Sequence, residues 1–185
     1  IAEIITRKSF HDFLKALDYH VDLKEWSEVG AMFNIARNLL HNSDYNYIFD
    51  IGCGKRPTLG ILMALNYGKK GRTIVSVDPQ LNTNYAENIN HMVMFKHKLS
   101  NLPDTNEHAK ALVLANHAHV SKREMQTFLD TLDDWTYVTC PCCIDNRLDN
   151  GLYIKDHHSW SPKNDIFVFN KSFNGIEYEK QKFRS

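Results

Sequence analysis

The feature that most constrains this chain is a short apolar run that ends in a glycine turn and leads directly into an apolar helix pattern. The run covers residues 47–51, and the turn is the Gly-Cys-Gly sequence at 52–54. Pro57 follows, and a helix-like stretch over 59–67 is closed by Gly68. Because Pro at the first helical position and Gly past the last one are common helix boundaries, the sequence predicts a strand, a tight turn and a helix in succession.

The same alternation of strand and helix patterns continues along the chain. Further apolar runs predict strands over 73–77, 92–95, 111–115 and 135–139. A capping box formed by Ser121 and Glu124 predicts a helix that continues to about residue 132. Strands that alternate with helices indicate an α/β fold with a mainly parallel sheet flanked by helices.

The two ends of the chain differ from this central part. Helical spacing predicts helices over most of 1–44, the second of them beginning at a capping box of Asp22 and Glu25. The polar stretch 144–165 is predicted to be a loop, and an Asn-Gly turn at 174–175 predicts a C-terminal β-hairpin. The 185 residues are therefore predicted to form one domain, with a helical extension over 1–44 and an α/β core over 45–185.

Composition narrows the classes of function. The 22 basic and 22 acidic residues give zero formal net charge, so no overall field attracts nucleic acid. The four cysteines include three within positions 140–143, which argues against a disulfide scaffold and favours a reducing compartment. No apolar run approaches the ~20 residues of a membrane span, and the first residues lack a signal-peptide layout. We expect a cytoplasmic protein without a membrane partner.

A nucleoside ligand is predicted from the first two strands together. The turn after the first strand contains Gly52 and Gly54, which allow the backbone to approach a ligand closely. The second strand ends in Asp78, followed by Pro79. Because a carboxylate at that strand end can accept hydrogen bonds from both hydroxyls of a ribose, the two features together favour nucleoside binding.

The positions of the glycines in this turn distinguish a dinucleotide such as NAD from other nucleoside cofactors. A dinucleotide fingerprint needs a third glycine where this chain has Pro57, so NAD binding is disfavoured. The Asp-x-Gly-x-Gly sequence over 50–54 instead resembles motif I of class I S-adenosylmethionine-dependent methyltransferases, and the resemblance covers about 47–143. One departure is Arg56, which stands where the family often has a third glycine.

The resemblance implies a Rossmann-like fold and a set of cofactor-contacting residues. Asp50 would help to organise the methionine end of S-adenosylmethionine, and Gly52 and Gly54 would line the cofactor. Asp78 would bind the ribose hydroxyls, with Pro79 beside it.

The end of the fourth strand is the expected place of the chemistry. Asn116 could orient an acceptor group or the methionine part of the cofactor, and His117 could serve as a general base. His119 is expected to shape the pocket or to be a surface residue. The Asp-Pro-Pro-aromatic element of many amino methyltransferases is missing here, which leaves a non-catalytic cofactor-binding subunit as an alternative.

The cysteine cluster after the fifth strand has three interpretations. It resembles the double cysteine of a methyltransferase subgroup linked to RNA modification, and Cys140 weakly resembles the nucleophile of RNA 5-methylcytosine methyltransferases. It could bind zinc together with histidines, although the spacing is unlike a Cys-x-x-Cys hook. We expect a plain pocket wall and no metal. The zinc candidates are Cys140, Cys142, Cys143, His157 and His158.

The preferred acceptor is RNA or another nucleic acid, because of the double-cysteine resemblance and because basic and aromatic residues are interleaved in the tail over 155–184. The same tail is equally consistent with an amphipathic hairpin that covers the edge of the sheet. A small-molecule methyltransferase is the next interpretation. An alternative from a different functional class is a non-catalytic cofactor-binding subunit that works through a protein partner. An NAD-dependent oxidoreductase is the last alternative.

Overall fold

The computed structural model of the chain describes residues 22–86, 89–103, 109–141, 144–155 and 165–171. Seven strands form one sheet in the order β3-β2-β1-β4-β5-β7-β6. The strands are β1 (Tyr47–Ile51), β2 (Thr73–Val77), β3 (Met92–Phe95), β4 (Lys110–Asn116), β5 (Asp134–Cys140), β6 (Leu152–Lys155) and β7 (Asp165–Asn170). Strands β1 to β5 pair in parallel, and β7 is antiparallel to both β5 and β6.

Three α-helices pack beside this sheet in the described residues. They are α1 (Leu23–Asn42), α2 (Thr58–Tyr67) and α3 (Lys122–Leu129). Short 3₁₀ turns cover Gly68–Lys70, Thr83–Ala86 and Leu99–Asn101. None of the described helices combines the length and apolarity that a membrane crossing requires.

The sheet has a separate apolar core on each face. Period-two alternation sends Ile48 of β1 into a core with the buried faces of α1 and α2. Phe49 and Ile51 of the same strand point into the opposite core. There Phe49 packs edge-on against Phe128 of α3, with 5.0 Å between the ring centroids. The predicted mainly parallel sheet with helices on both faces is confirmed.

Helix α1 packs on the sheet along its length. Met32, Phe33 and Ala36 are buried in the core that α2 shares. Asp22 caps the helix by accepting a hydrogen bond from the Lys24 amide. The predicted reciprocal capping box is wrong, since the Glu25 carboxylate instead accepts a hydrogen bond from the Thr58 hydroxyl at the start of α2.

The start of α2 differs from the sequence prediction, whereas its end agrees with it. Pro57 occupies the N-cap position, one residue before the helix rather than its first residue. Gly68 has right-handed helical dihedrals and starts the 3₁₀ turn, and Gly71 takes the left-handed conformation with φ of 77°. The prediction that Gly68 follows the last helical residue is therefore confirmed, and the left-handed glycine closes the 3₁₀ turn that comes next.

The C-terminal part contains a strand that the sequence analysis assigned to a loop. Strand β6 pairs with β7, with Ile154 opposite Ile166. The prediction of a loop over 144–165 is thus wrong for 152–155. The strand at 166–169 is confirmed within β7, whereas the predicted Asn-Gly turn and the strand after it lie outside the described residues, as do residues 1–21 of the N-terminal extension.

Candidate cofactor-binding site

The glycine turn after β1 packs directly on the loop that follows β4. Gly52 has a φ of 67°, and its amide donates to the Val77 carbonyl at 2.8 Å. A Cβ on Gly52 would lie 2.5 Å from the Ala118 Cβ, which is closer than van der Waals contact permits. Glycine at this position is therefore required both by the backbone conformation and by the close approach of the two loops.

The carboxylate of Asp78 joins the turn after β1 to the loop after β2. Its Oδ2 accepts a hydrogen bond from the Gly54 amide at 2.9 Å, and its Oδ1 accepts one from the Gln80 amide at 2.7 Å. Each carboxylate oxygen has a second lone pair, so the group retains acceptor capacity. The sequence motif thus forms one connected structure at the ends of two neighbouring strands.

Asp50 is buried beneath the turn. It lies on the same face of β1 as Ile48, is 2% exposed, and accepts a hydrogen bond from the Gly60 amide at 2.8 Å. Burial raises the pKa of Asp50 to about 7, although the hydrogen bonds from Gly60 and Ser76 act in the opposite direction. In this arrangement Asp50 ties the first turn of α2 to β1.

A cleft of about 280 Å³ opens at the carboxyl ends of β1, β2 and β4. The strand order reverses between β1 and β4, and ligands of open α/β sheets bind at such a reversal. Five predicted site residues line the cleft, namely Gly52, Gly54, Asp78, Pro79 and His117. Asp50 and Asn116, the other two, are not among the described residues that line it.

The sheet order, with an antiparallel strand inserted beside β5, decides the fold. The described part has the Rossmann-like fold of class I methyltransferases.

His117 lies at the end of β4 in a constrained conformation. Its φ is 55°, and its amide donates to the Cys140 carbonyl at 2.9 Å. The imidazole Nε2 lies 3.1 Å from Oε1 of Glu28 and 3.9 Å from Sγ of Cys140. The contact with Glu28 is close enough for an ion pair but does not align as a hydrogen bond.

Glu28 is a site residue that the sequence analysis missed. It lies on α1, is 8% exposed, and has Lys24 Nζ at 3.9 Å from its Oε1. The sequence could indicate the burial of Glu28 only through its place in α1, directly before Val29 and Gly30, which the structure shows to be buried as well. A carboxylate on that buried side needs a cationic or polar partner.

Two further cleft residues follow β3. His97 and Leu99 line the cleft, together with His119 and Val120 from the loop after β4. The sequence signal was that the carboxyl ends of parallel strands meet at one edge, which places residues after β3 near those after β2. His119 is exposed and lines the cleft, in agreement with its expected pocket-shaping role.

Asn116 occupies the last position of β4, and its side-chain Oδ1 is buried without a hydrogen-bond partner among the described residues. A buried amide oxygen without a hydrogen bond is rare in folded proteins, and its burial keeps this oxygen out of direct contact with the cleft.

The cysteine cluster is only partly within the described residues. Cys140 is buried at the end of β5, whereas Cys142, Cys143, His157 and His158 lie outside the described ranges. Among the residues that are described, no group of His, Cys, Asp or Glu has the arrangement of a metal site.

Most of the basic aromatic tail also lies outside the described ranges. In β7, Phe169 is buried and stacks on Tyr137 with 5.7 Å between ring centroids. The Lys171 Nζ donates to the Leu132 carbonyl. These two residues of the tail therefore contribute to packing.

No family model matches the chain, and no curated protein matches it. Similar solved structures include the plantazolicin methyltransferase BpumL, crystallised with SAH, with 12% identity over 72% of this chain and a TM-score of 0.45. The chain spans about half of that protein, 52% of its length. The N-methyltransferase NodS from Bradyrhizobium japonicum WM9 has 11% identity over 78% of this chain and 94% of that chain, with a TM-score of 0.47. An rRNA methylase from Streptococcus thermophilus has 9% identity, coverages of 82% and 97%, and a TM-score of 0.43.

Proposed function

We propose that this protein is an S-adenosylmethionine-dependent methyltransferase. The observation that carries the proposal is the connection of Asp78 to the Gly54 amide at the mouth of the cleft. An acid at the end of β2 and a glycine turn at the end of β1 are the two features that a nucleoside cofactor requires at this place in the fold.

The residues of the cleft fit such a cofactor. A Cβ on Gly54 would meet no atom within 4 Å, so open space lies next to this backbone on the cleft side. The unused lone pairs of the Asp78 oxygens would accept hydrogen bonds from the ribose hydroxyls, and Gly52 and Pro79 also line the cleft. When bound, the sulfonium of the cofactor supplies the methyl group.

Asp50 acts through the backbone in this proposal. Its hydrogen bond to the Gly60 amide holds the start of α2 against β1 and thereby fixes the turn that contains Gly52 and Gly54. The predicted role at the methionine end of the cofactor becomes a positioning role, because Asp50 is buried below the turn.

His117 accepts the proton that the acceptor releases on methyl transfer, because it lines the cleft and histidine is the most common general base in enzymes. The Glu28 carboxylate beside it stabilises the protonated ring, in the way that the acid of a catalytic triad stabilises imidazolium. Asn116, at the end of β4, orients the acceptor once its side-chain amide turns toward the cleft. The role of the protein is then to align donor and acceptor and to exclude water.

The proposed acceptor is RNA or another nucleic acid, and the proposed location is the cytoplasm. A small molecule is the alternative acceptor, and a non-catalytic subunit that acts through a protein partner is the alternative function.

Methyl transfer from labelled S-adenosylmethionine to pools of RNA, protein and small molecules tests this proposal. We expect label in the RNA pool and a large loss of turnover in His117→Ala and Glu28→Gln, with cofactor affinity nearly unchanged. His41→Ala, an exposed histidine in the last turn of α1, is the matched control and should retain turnover.

If the parent binds the cofactor but labels none of the pools, the non-catalytic function replaces the enzyme. If His117→Ala has the turnover of the parent between pH 5 and 9, the proton acceptor is another group.

A further inference from the structure

A second pocket lies next to the cofactor cleft, on the other side of the loop after β2. It has a volume of about 360 Å³ and is lined by residues that follow β1, β2 and β3. Gln80 lines both this pocket and the cleft, so the two spaces share a wall. A ligand that enters one can therefore extend to the edge of the other.

The charged residues in the described lining of this pocket are all basic. Lys55, Arg56 and Lys96 are the charged residues in its described lining, which contains no carboxylate. Lys55 and Lys96 are exposed, and neither ammonium has a carboxylate within ion-pair distance in the described part of the chain. The chain has equal numbers of acidic and basic residues, so a described lining with three basic residues and no acidic one is locally more positive than the chain as a whole.

The walls of the pocket are held in place by the same contacts that form the cofactor site. The Asn82 amide donates to the Lys55 carbonyl at 3.0 Å, and this hydrogen bond joins the loops after β1 and β2. Asp78 joins the same two loops through the Gly54 and Gln80 amides. The backbone that carries Lys55 is thus fixed relative to the cleft before any ligand arrives.

The remaining lining suits a nucleotide better than a small inorganic anion alone. Tyr85 lines the pocket and packs against the core next to α2, so its ring has a fixed position. Asn82, Asn84 and Thr83 supply neutral polar groups around it. An aromatic ring beside lysine and arginine is the combination that binds a single-stranded nucleic acid by stacking and by phosphate contacts.

We infer that the pocket of Lys55, Arg56 and Lys96 binds a phosphoryl group of a nucleic-acid strand and so positions the strand beside the cofactor cleft. The strand is the methyl acceptor only if the protein is the methyltransferase proposed above. The phosphoryl site does not depend on that function.

Binding of a fluorescent single-stranded RNA of twelve nucleotides, measured by anisotropy between 50 and 300 mM salt, tests this inference. A phosphate contact to a single strand contributes a slope of ~0.7 to the fall of log K with log salt concentration. The double variant Lys55→Gln/Lys96→Gln loses two such contacts, so its slope of log K against log salt concentration should be smaller than that of the parent by ~1.4. If the two proteins bind equally at 1 M salt, this difference makes the variant bind about 25-fold more weakly at 0.1 M salt.

The matched control is Lys69→Gln/Lys110→Gln, which removes the same charge from two exposed lysines at the opposite edge of the sheet, one before β2 and one at the first position of β4. The control should retain the parental slope, and both double variants should retain affinity for S-adenosylmethionine. Equal slopes in the parent and the Lys55/Lys96 variant, or an equal loss in the control, would overturn the inference.

Inorganic pyrophosphate and a nucleoside 5′-monophosphate, used as competitors, separate the possible sources of the phosphoryl group. Competition only at concentrations far above that of the strand supports the nucleic-acid ligand. A competitor that binds as tightly as the strand contradicts it and assigns the pocket to a free nucleotide or phosphate. RNA binding through this pocket without methyl transfer would contradict the proposed function and leave the phosphoryl site intact.

Discussion

Replacement of Gly52 by alanine tests the close packing of the glycine turn on the loop after β4. The new Cβ would lie 2.5 Å from the Ala118 Cβ and 2.8 Å from its Cα. Ala118 is fully buried, so it has little room to retreat. Overpacking of this kind costs about 1–3 kcal/mol. The φ of 67° adds about 1–2 kcal/mol for a residue with a Cβ.

Gly54 provides a matched control two residues away. It has nearly the same φ, 69°, but its added Cβ would meet no atom within 4 Å. Gly54→Ala should therefore lower the free energy of unfolding by about 1–2 kcal/mol, the backbone cost alone. Gly52→Ala should lower it by about 2–5 kcal/mol, the sum of the backbone and packing costs.

Urea unfolding followed by circular dichroism measures both variants against the parent. The difference between them should be about 1–3 kcal/mol, which isolates the contact with Ala118. Equal destabilisation of the two variants would refute the close packing of the two loops. Because Gly54 lines the cleft, its variant should also bind S-adenosylmethionine more weakly than the loss of stability explains.

Substitutions at three further positions address the site. Asp50 has a raised pKa of about 7, so its contribution to stability is complete below its unfolded pKa near 4 and is lost as pH rises through 7. The parent should lose about 2–3 kcal/mol of unfolding free energy between pH 5 and 8 relative to Asp50→Asn, and parallel urea curves would contradict this. Asp78→Ala should weaken S-adenosylmethionine binding by about 1–3 kcal/mol and Asp78→Asn by less, whereas unchanged calorimetric affinity would remove the ribose assignment. Cys140→Ser should retain turnover as part of the pocket wall, and its inactivity with intact cofactor affinity would favour a nucleophile.

The sequence was sufficient for the central strands because local signals there agree with the tertiary structure. Strands β1 and β2 have the predicted bounds, since each is a short, mostly apolar run that ends at turn residues. The capping box of Ser121 and Glu124 is present, because it needs only residues three apart. Strand β6 was missed because it is an edge strand with alternating exposure, where Ile154 packs but Tyr153 is exposed.

The sequence predicted which strand ends form the site, but it did not predict where the side chains at those ends point. Period-two alternation places Asp50 on the face of Ile48, under α2, so its burial was implicit in the sequence. The contact between Glu28 and His117 was not predictable in this way. It joins residues 89 positions apart and depends on how α1 crosses the sheet. Motifs specify the loops of this site, whereas tertiary packing specifies the partner of its histidine.

The most direct test of the central claim is a calorimetric titration of S-adenosylmethionine into the folded parent protein, with NAD in a parallel titration. The structure of the cleft predicts one binding site per chain for S-adenosylmethionine and no measurable binding of NAD. Absence of S-adenosylmethionine binding to the folded protein, or equal binding of NAD, would contradict the assignment of the cleft at Gly52, Gly54 and Asp78.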